Sequence, residues 1–259
     1  MILVVDVGNT NIEFGVLEGD TLLGSFRMGT NRESTSDEIG FMILQFLSFY
    51  KIDSGKIEDV IIASVVPQVM HSLLNAIKRF VGKVPLIVGD NLPINVVNRY
   101  DNPKEVGADR LVNALSAVRK YGAPLIVVDF GTATTFDAVD QDGAYLGGAI
   151  YPGIKISMDA LFARAAKLPK IELVDPGVCI GKNTSQSMQV GAIYGYTGAV
   201  LHICGQMKKT LGENTKIIAT GGLAVLFAEQ GAFDHLDKTI TLDGLRMIYQ
   251  DYRKTLANK

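Results

Sequence analysis

Asp6-Val7-Gly8-Asn9-Thr10-Asn11-Ile12-Glu13-Phe14-Gly15 is the stretch on which the reading of this chain turns. It follows Ile2-Leu3-Val4-Val5, a short branched run with no helical period that stops at a glycine turn, the pattern of a buried strand. The strand delivers Asp6 to its end. Gly8 lets the backbone turn without a Cβ penalty, and the following amides with the Asn9, Thr10 and Asn11 side chains form a donor-rich concavity suited to phosphate oxygens. Asp6 then faces a phosphate-bound cation.

The pattern is written twice. Asp129-Phe130-Gly131-Thr132-Ala133-Thr134-Thr135-Phe136-Asp137-Ala138-Val139 follows a second apolar strand, Leu125-Ile126-Val127-Val128. Asp6 aligns with Asp129, Gly8 with Gly131 and Val16 with Val139, at a constant offset of 123 residues. A repeat of this length is a duplicated domain rather than a solenoid unit. Two facing Asp-x-Gly turns on two similar lobes make a nucleotide clamp; the plainer alternative is two unrelated strand-to-hairpin turns.

Composition bounds the rest. A chain of 259 residues holds one large domain or two of ordinary size, and the duplication favours two, divided at 1–118 and 119–259. With 47% hydrophobic and 20% charged residues it has both a core and a soluble surface. A net charge of −2 leaves no basic excess for nucleic acid. No segment approaches the roughly 20 apolar residues of a membrane helix, and the first apolar run ends at Asp6, too short for a signal peptide, so the expectation is a cytoplasmic protein. Cys179 and Cys204 read as ordinary reduced residues. The isolated His71, His202 and His235 offer no zinc spacing.

Along the chain, Ile12 to Leu17 and Thr21 to Arg27 read as a hairpin about Glu18-Gly19-Asp20. A helix capped within Ser34 to Asp37, the strand Val60 to Val65, a helix opened by Pro67 and the strand Leu86-Ile87-Val88 complete the first lobe. The polar stretch from Asn98 then ends in Gly107-Ala108-Asp109-Arg110, where a helix begins. Asp109 there is either a first-turn acid favoured by the helix dipole or a functional carboxylate; Arg110 is a cation at the disfavoured end, and Gly107 permits close approach of a ligand. A second hairpin turns at Gln141-Asp142-Gly143. Gly147-Gly148 and Pro152-Gly153 either bring backbone to a ligand or only turn the chain. A helix from about Ile154 to Ala166 and a loop from Leu168 to Gly181 follow, and Thr184 either caps a long helix or has a functional role. Thr220-Gly221-Gly222 leads from a late strand into another helix, as a tight connection or a place for adenosine.

Together these residues resemble the superfamily of actin, the heat-shock chaperone ATPases and the sugar kinases. Within it, Asp6-Val7-Gly8-Asn9-Thr10-Asn11, Gly107-Ala108-Asp109-Arg110, Asp129-Phe130-Gly131-Thr132-Ala133-Thr134 and Thr220-Gly221-Gly222 resemble the type III pantothenate kinases, over essentially the whole chain. The resemblance implies an α/β fold of two similar ribonuclease H-like lobes clamping a nucleotide, and ATP-dependent phosphorylation of pantothenate, the first step of coenzyme A synthesis. It implies that Asp6, Val7, Gly8, Asn9, Thr10, Asn11, Ile12 and Glu13 hold the ATP phosphates, with Asp6 near Mg2+, and that Thr132 binds phosphate from the other lobe. Asp109 is implied as general base. Tyr100, Gly107, Ala108, Asp109, Arg110 and Thr184 are implied around pantothenate, and Asp129 at a monovalent cation, K+ or NH4+. A homodimer is implied, and Ile193, Tyr196, Val200 and Ile203 of the long helix serve either that interface or the core. The rival readings are a kinase for another small hydroxylated acceptor and a non-enzymatic ATP-binding regulator of the same fold.

Overall fold

The computed structural model describes residues 1–258. The chain forms two compact units: 1–96 and 102–116 with 239–258, and 97–101 with 117–238. In the first unit, β1 (Ile2–Val7), β2 (Asn11–Glu18), β3 (Thr21–Gly29), β4 (Asp59–Ser64) and β5 (Leu86–Ile87) form one sheet in the order β3-β2-β1-β4-β5. The second unit's β6 (Leu125–Phe130), β7 (Ala133–Val139), β8 (Tyr145–Pro152), β9 (Lys216–Thr220) and β10 (His235–Leu236) form a sheet in the order β10-β9-β6-β7-β8. Read from the opposite edge, the two orders coincide. Both are mixed sheets, with an antiparallel hairpin on one side of the first strand and parallel strands on the other.

Alternation along β1 divides its side chains between two layers. Leu3, Val5 and Val7 join a core with α1 (Ser36–Phe49) and α2 (Pro67–Ala76), while Ile2 and Val4 join one with Val112 and Leu115 of α3 (Ala108–Tyr121) and Leu242, Leu245, Ile248 and Tyr249 of α6 (Ile240–Ala257). Asp6 continues the second set, so its carboxylate lies on the α3 and α6 side of the sheet. Helix α1 is capped reciprocally by Thr35 and Glu38, and Pro67 opens α2 at a position where its missing N–H costs no helix bond. Helix α6 has no counterpart among the elements read from sequence. Its apolar stripe packs with β1 and β4, so the segment that a cut at 118/119 assigns to the second lobe packs with the first unit.

In the second unit the main core joins Ile126, Val128 and Phe130 to Ala192, Ile193, Tyr196 and Val200 of α5 (Thr184–Leu211). The side chains of Ile193, Tyr196 and Val200 are therefore core, and Ile203 packs partly buried against them. The cap of α5 is Asn183, whose side chain accepts from Gln186 N at 2.9 Å; Thr184 is the first helical residue rather than the cap. Helix α4 (Ile154–Arg164) precedes the irregular 165–183 stretch. After Thr220-Gly221-Gly222 the chain makes only a 3-10 turn at Ala224–Phe227, not the longer helix expected.

The repeat carries a slip that spacing alone hides. Val7 pairs with Ile12 around residues 8–11, whereas Phe130 pairs with Thr134 around residues 131–133, so the second turn is one residue shorter. The offset of 123 holds for β1 onto β6 but becomes 122 for β2 onto β7. Val16 thus corresponds to Ala138, not Val139. The bulges agree, falling at Val16/Leu17 and at Ala138/Val139, and the corrected offset superimposes the fully buried Phe14 and Phe136.

Candidate active site

The first turn is closed by Gly8 N donating to Asn11 O at 3.0 Å, and a Cβ on Gly8 would lie 3.2 Å from that oxygen. Asn9, Thr10 and Asn11 are exposed, while Val7 and Ile12 are buried in the core and can offer a ligand only their backbone. Asp6, Glu13 and Arg27 pair across three neighbouring strands, in one transverse row on the α3 and α6 side. Arg27 Nη2 holds Glu13 Oε2 at 2.8 Å. The row therefore ends in an internal ion pair.

The start of α3 reaches the same sheet edge through Val65. Its N–H donates to Val7 O at 3.1 Å, and its side chain lies 3.3 Å from where a Cβ on Gly107 would stand. That Cβ would also be 2.5 Å from Asp109 Oδ1, so glycine at 107 leaves the room that the carboxylate occupies. Oδ1 in turn accepts from Arg110 N at 2.8 Å. Burial pushes the Asp109 pKa above its usual value, outweighing the lowering by the Arg110 backbone bond and the Arg110 charge. An acid kept only for the helix dipole is favoured in its charged form and shifts downward; the upward direction is the one that prepares a carboxylate for general-base work.

In the second unit, Gly131 N donates to Ala133 O at 3.1 Å, closing the shorter turn that carries Thr132. Two glycines from elsewhere press on it. A Cβ on Gly153 would fall 2.1 Å from Thr132 O and 2.8 Å from Gly131 O, and one on Gly221 would fall 2.3 Å from Asp129 Oδ1. Gly221 also has a φ of +90°, which glycine alone adopts readily. The Thr220-Gly221-Gly222 turn is thus packed directly against Asp129. Pro152-Gly153 is likewise a close backbone approach.

Tyr100 and Thr184 lie apart from that turn in the chain's layout. Arg99 N donates to Tyr145 O and Tyr145 N to Val97 O, pinning the 97–99 segment to the start of β8, and the Tyr100 ring lies 3.2 Å from where a Cβ on Gly147 would stand. Gly147 and Pro152 are five residues apart on β8, or ~17 Å along the strand, so Tyr100 sits toward the end of β8 away from Thr132. Thr184 is exposed in the first turn of α5, where Lys182 N donates to Gln186 Oε1 and Gln189 Nε2 to Glu172 O, tying the preceding loop to the helix.

Pattern reading passed over Asp137, which is fully buried and accepts from Tyr145 Oη at 2.9 Å and Thr135 Oγ1 at 3.2 Å. Its signal was an acid on the inward-facing side of a strand. Of the cysteines, Cys204 is buried, its thiol pushed up to about 12 mainly by desolvation, and Cys179 is exposed. For cations, the described residues hold no group of three or more His, Cys, Asp or Glu arranged for a metal. One carboxylate at each strand end suits an ion that takes its remaining oxygens from phosphates, water and backbone. Asp6 and the close backbone at Asp129 fit that description.

Two five-stranded units of one topology, each opening with an Asp-x-Gly turn, define the actin and sugar-kinase class of fold. Solved structures agree: the chain superimposes on a conserved Baf-family protein from Campylobacter jejuni (TM-score 0.60, 20% identity, 98% of this chain and 100% of the other). It likewise superimposes on MreB 5 of Spiroplasma citri, solved bound to AMPPNP (TM-score 0.58, 11% identity, 99% and 98%). The family profile described as type III pantothenate kinase matches residues 2–206. A protein of Listeria welshimeri described as a type III pantothenate kinase is 47% identical over 256 residues, covering 98% of this chain and 99% of the relative. The chain belongs to the type III pantothenate kinase family.

Proposed function

We propose that this protein transfers the γ-phosphoryl group of ATP to pantothenate, giving 4'-phosphopantothenate and ADP at the start of coenzyme A synthesis. The observation that carries the reading is Asp109, held at a helix start beside the end of β1 with its pKa raised by burial. Asp109 takes the proton of the pantothenate hydroxyl as that oxygen bonds to the γ-phosphorus and the bond to the ADP oxygen breaks. Arg110 pairs with the pantothenate carboxylate; Tyr100, Gly107, Ala108 and Thr184 line the acceptor's pocket. The turn from Asp6 to Glu13 and the turn at Thr132 hold the ATP phosphates. Phosphoryl transfer needs chiefly positioning and charge neutralisation, so these groups suffice without a covalent nucleophile. Asp6 would hold the magnesium carried with ATP and Asp129 a potassium or ammonium ion, and when bound these ions would supply positive charge against the phosphates.

The protein acts in the cytoplasm, where ATP is supplied, and works as a homodimer; among the described residues no helix is long and apolar enough to cross a membrane. Exposed apolar side chains of the second unit support the dimer, with Ile150 69% and Ile180 76% exposed, joined by Ile156, Phe162 and Leu201. Sedimentation should give twice the chain mass, falling to the chain mass on Ile180→Glu with Phe162→Glu. The test of function is ADP release from ATP and magnesium, with and without pantothenate, in potassium and in sodium. Release that needs both pantothenate and potassium is expected. Release with another hydroxylated acceptor instead would favour a different kinase, and ATP binding without any release would favour a regulator.

A further inference from the structure

Thr30, the residue after β3, makes two contacts with the first turn. Its Oγ1 donates to Gly8 O at 2.6 Å and its backbone N–H donates to Thr10 O at 2.9 Å. A trans peptide is planar, with its C=O and N–H pointing in opposite directions. Holding the Gly8 and Thr10 carbonyls toward Thr30 therefore directs the N–H groups of Asn9 and Asn11 away from it. Strand register makes Gly153 the counterpart of Thr30, because Arg27 and Ile150, then Gly29 and Pro152, occupy matching positions opposite β2 and β7. Gly153 faces the matching pair of carbonyls, Gly131 O and Thr132 O, but so closely that any side chain would collide with them. The same position buttresses each turn, by hydrogen bonds in the first unit and by backbone packing in the second.

We propose that Thr30 is a positioning residue for ATP: by fixing the Gly8 and Thr10 carbonyls it aims the Asn9 and Asn11 amides at the triphosphate. The inference rests on the reading above that this turn holds the ATP phosphates. Thr30→Val keeps the shape and removes the hydroxyl donor. In the full-length enzyme it should raise KM for ATP ~5- to 10-fold, the equivalent of one lost hydrogen bond, while KM for pantothenate stays within twofold. Thr30→Ser, which keeps the hydroxyl, should restore the ATP KM, and Thr30→Ala should repeat the loss if valine crowds the turn. An unchanged ATP KM in both Val and Ala variants would overturn the proposal, as would equal shifts in Ser and Val or a lowered melting temperature with intact kinetics. Asn9→Asp separates the two levels, since a carboxylate among phosphates should raise the ATP KM whatever Thr30 does. If Asn9→Asp shifts that KM and Thr30→Val does not, only the Thr30 proposal falls; if Asn9→Asp is also silent, the phosphate reading of the turn falls with it.

Discussion

The two Asp-x-Gly turns share a scaffold and differ in what surrounds it. In the first unit the row across the sheet reads Asp6, Glu13, Arg27, and in the second it reads Asp129, Thr135, Ile150. The first turn is one residue longer, presents exposed Asn and Thr side chains and is tied by Thr30; the second is shorter and walled by Gly153 and Gly221. Phe14 and Phe136 occupy matching, fully buried positions where the core demands volume. The rims differ. Under the proposed function, that difference would put the chemistry in the first unit, which also carries Asp109, and a supporting cation and phosphate contact in the second.

The largest effect expected from that assignment is at Asp109. Asp109→Asn should lower turnover by about 10²- to 10⁴-fold while leaving the affinity for a non-hydrolysable ATP analogue intact by calorimetry. Its stability should move the other way. Burial raises the folded-state pKa of Asp109, so the folded chain keeps that proton to higher pH than the unfolded chain does. The resulting stability is fully present below the unfolded pKa and lost as pH rises through the folded value. Asp109→Asn should accordingly melt at or above the wild type at pH 8, with the gap closing as pH falls toward 4; a variant less stable at pH 8 would make the carboxylate a structural group.

Next is the wall of the second turn. Gly153→Ala drives a Cβ into the Thr132 carbonyl and should cost about 1–3 kcal/mol, read as a lower melting temperature, whereas Thr30→Gly at the matching position should cost less. Equal costs would mean the two buttresses work alike. Replacing potassium with sodium should lower turnover about tenfold, the scale of one charge-assisted contact, and Asp129→Asn should remove the difference between the salts. The smallest effect belongs to Arg27. An exposed ion pair is worth about 0–1 kcal/mol, so Arg27→Met should raise the ATP KM by no more than about fivefold, and less at high salt.

Much of this was legible because strand-end Asp-x-Gly turns combine two strong local signals, a branched apolar run and a glycine stop. The repeat, the sheet elements around it and the Gly107-to-Arg110 helix start all follow from such signals. Register is not local: the lost residue in the second turn moves β7 by one position, and spacing between look-alike valines cannot show it. Nor can an apolar stripe say which sheet it covers, which is why α6 joins the first unit and why Ile193, Tyr196 and Val200 belong to the core and not to an exposed face. Thr30 had no signal at all, since a threonine after a strand is commonplace and its role lies in which carbonyls it reaches.

The most direct test of the account is the pH dependence of kcat/KM for pantothenate in potassium and saturating magnesium–ATP. A general base with a burial-raised pKa predicts an acid limb centred above the ordinary aspartate value of about 3.9, with a slope of one proton, and no such limb in the residual activity of Asp109→Asn. A rate that stays level down to about pH 4, or the same limb persisting in the variant, would contradict it.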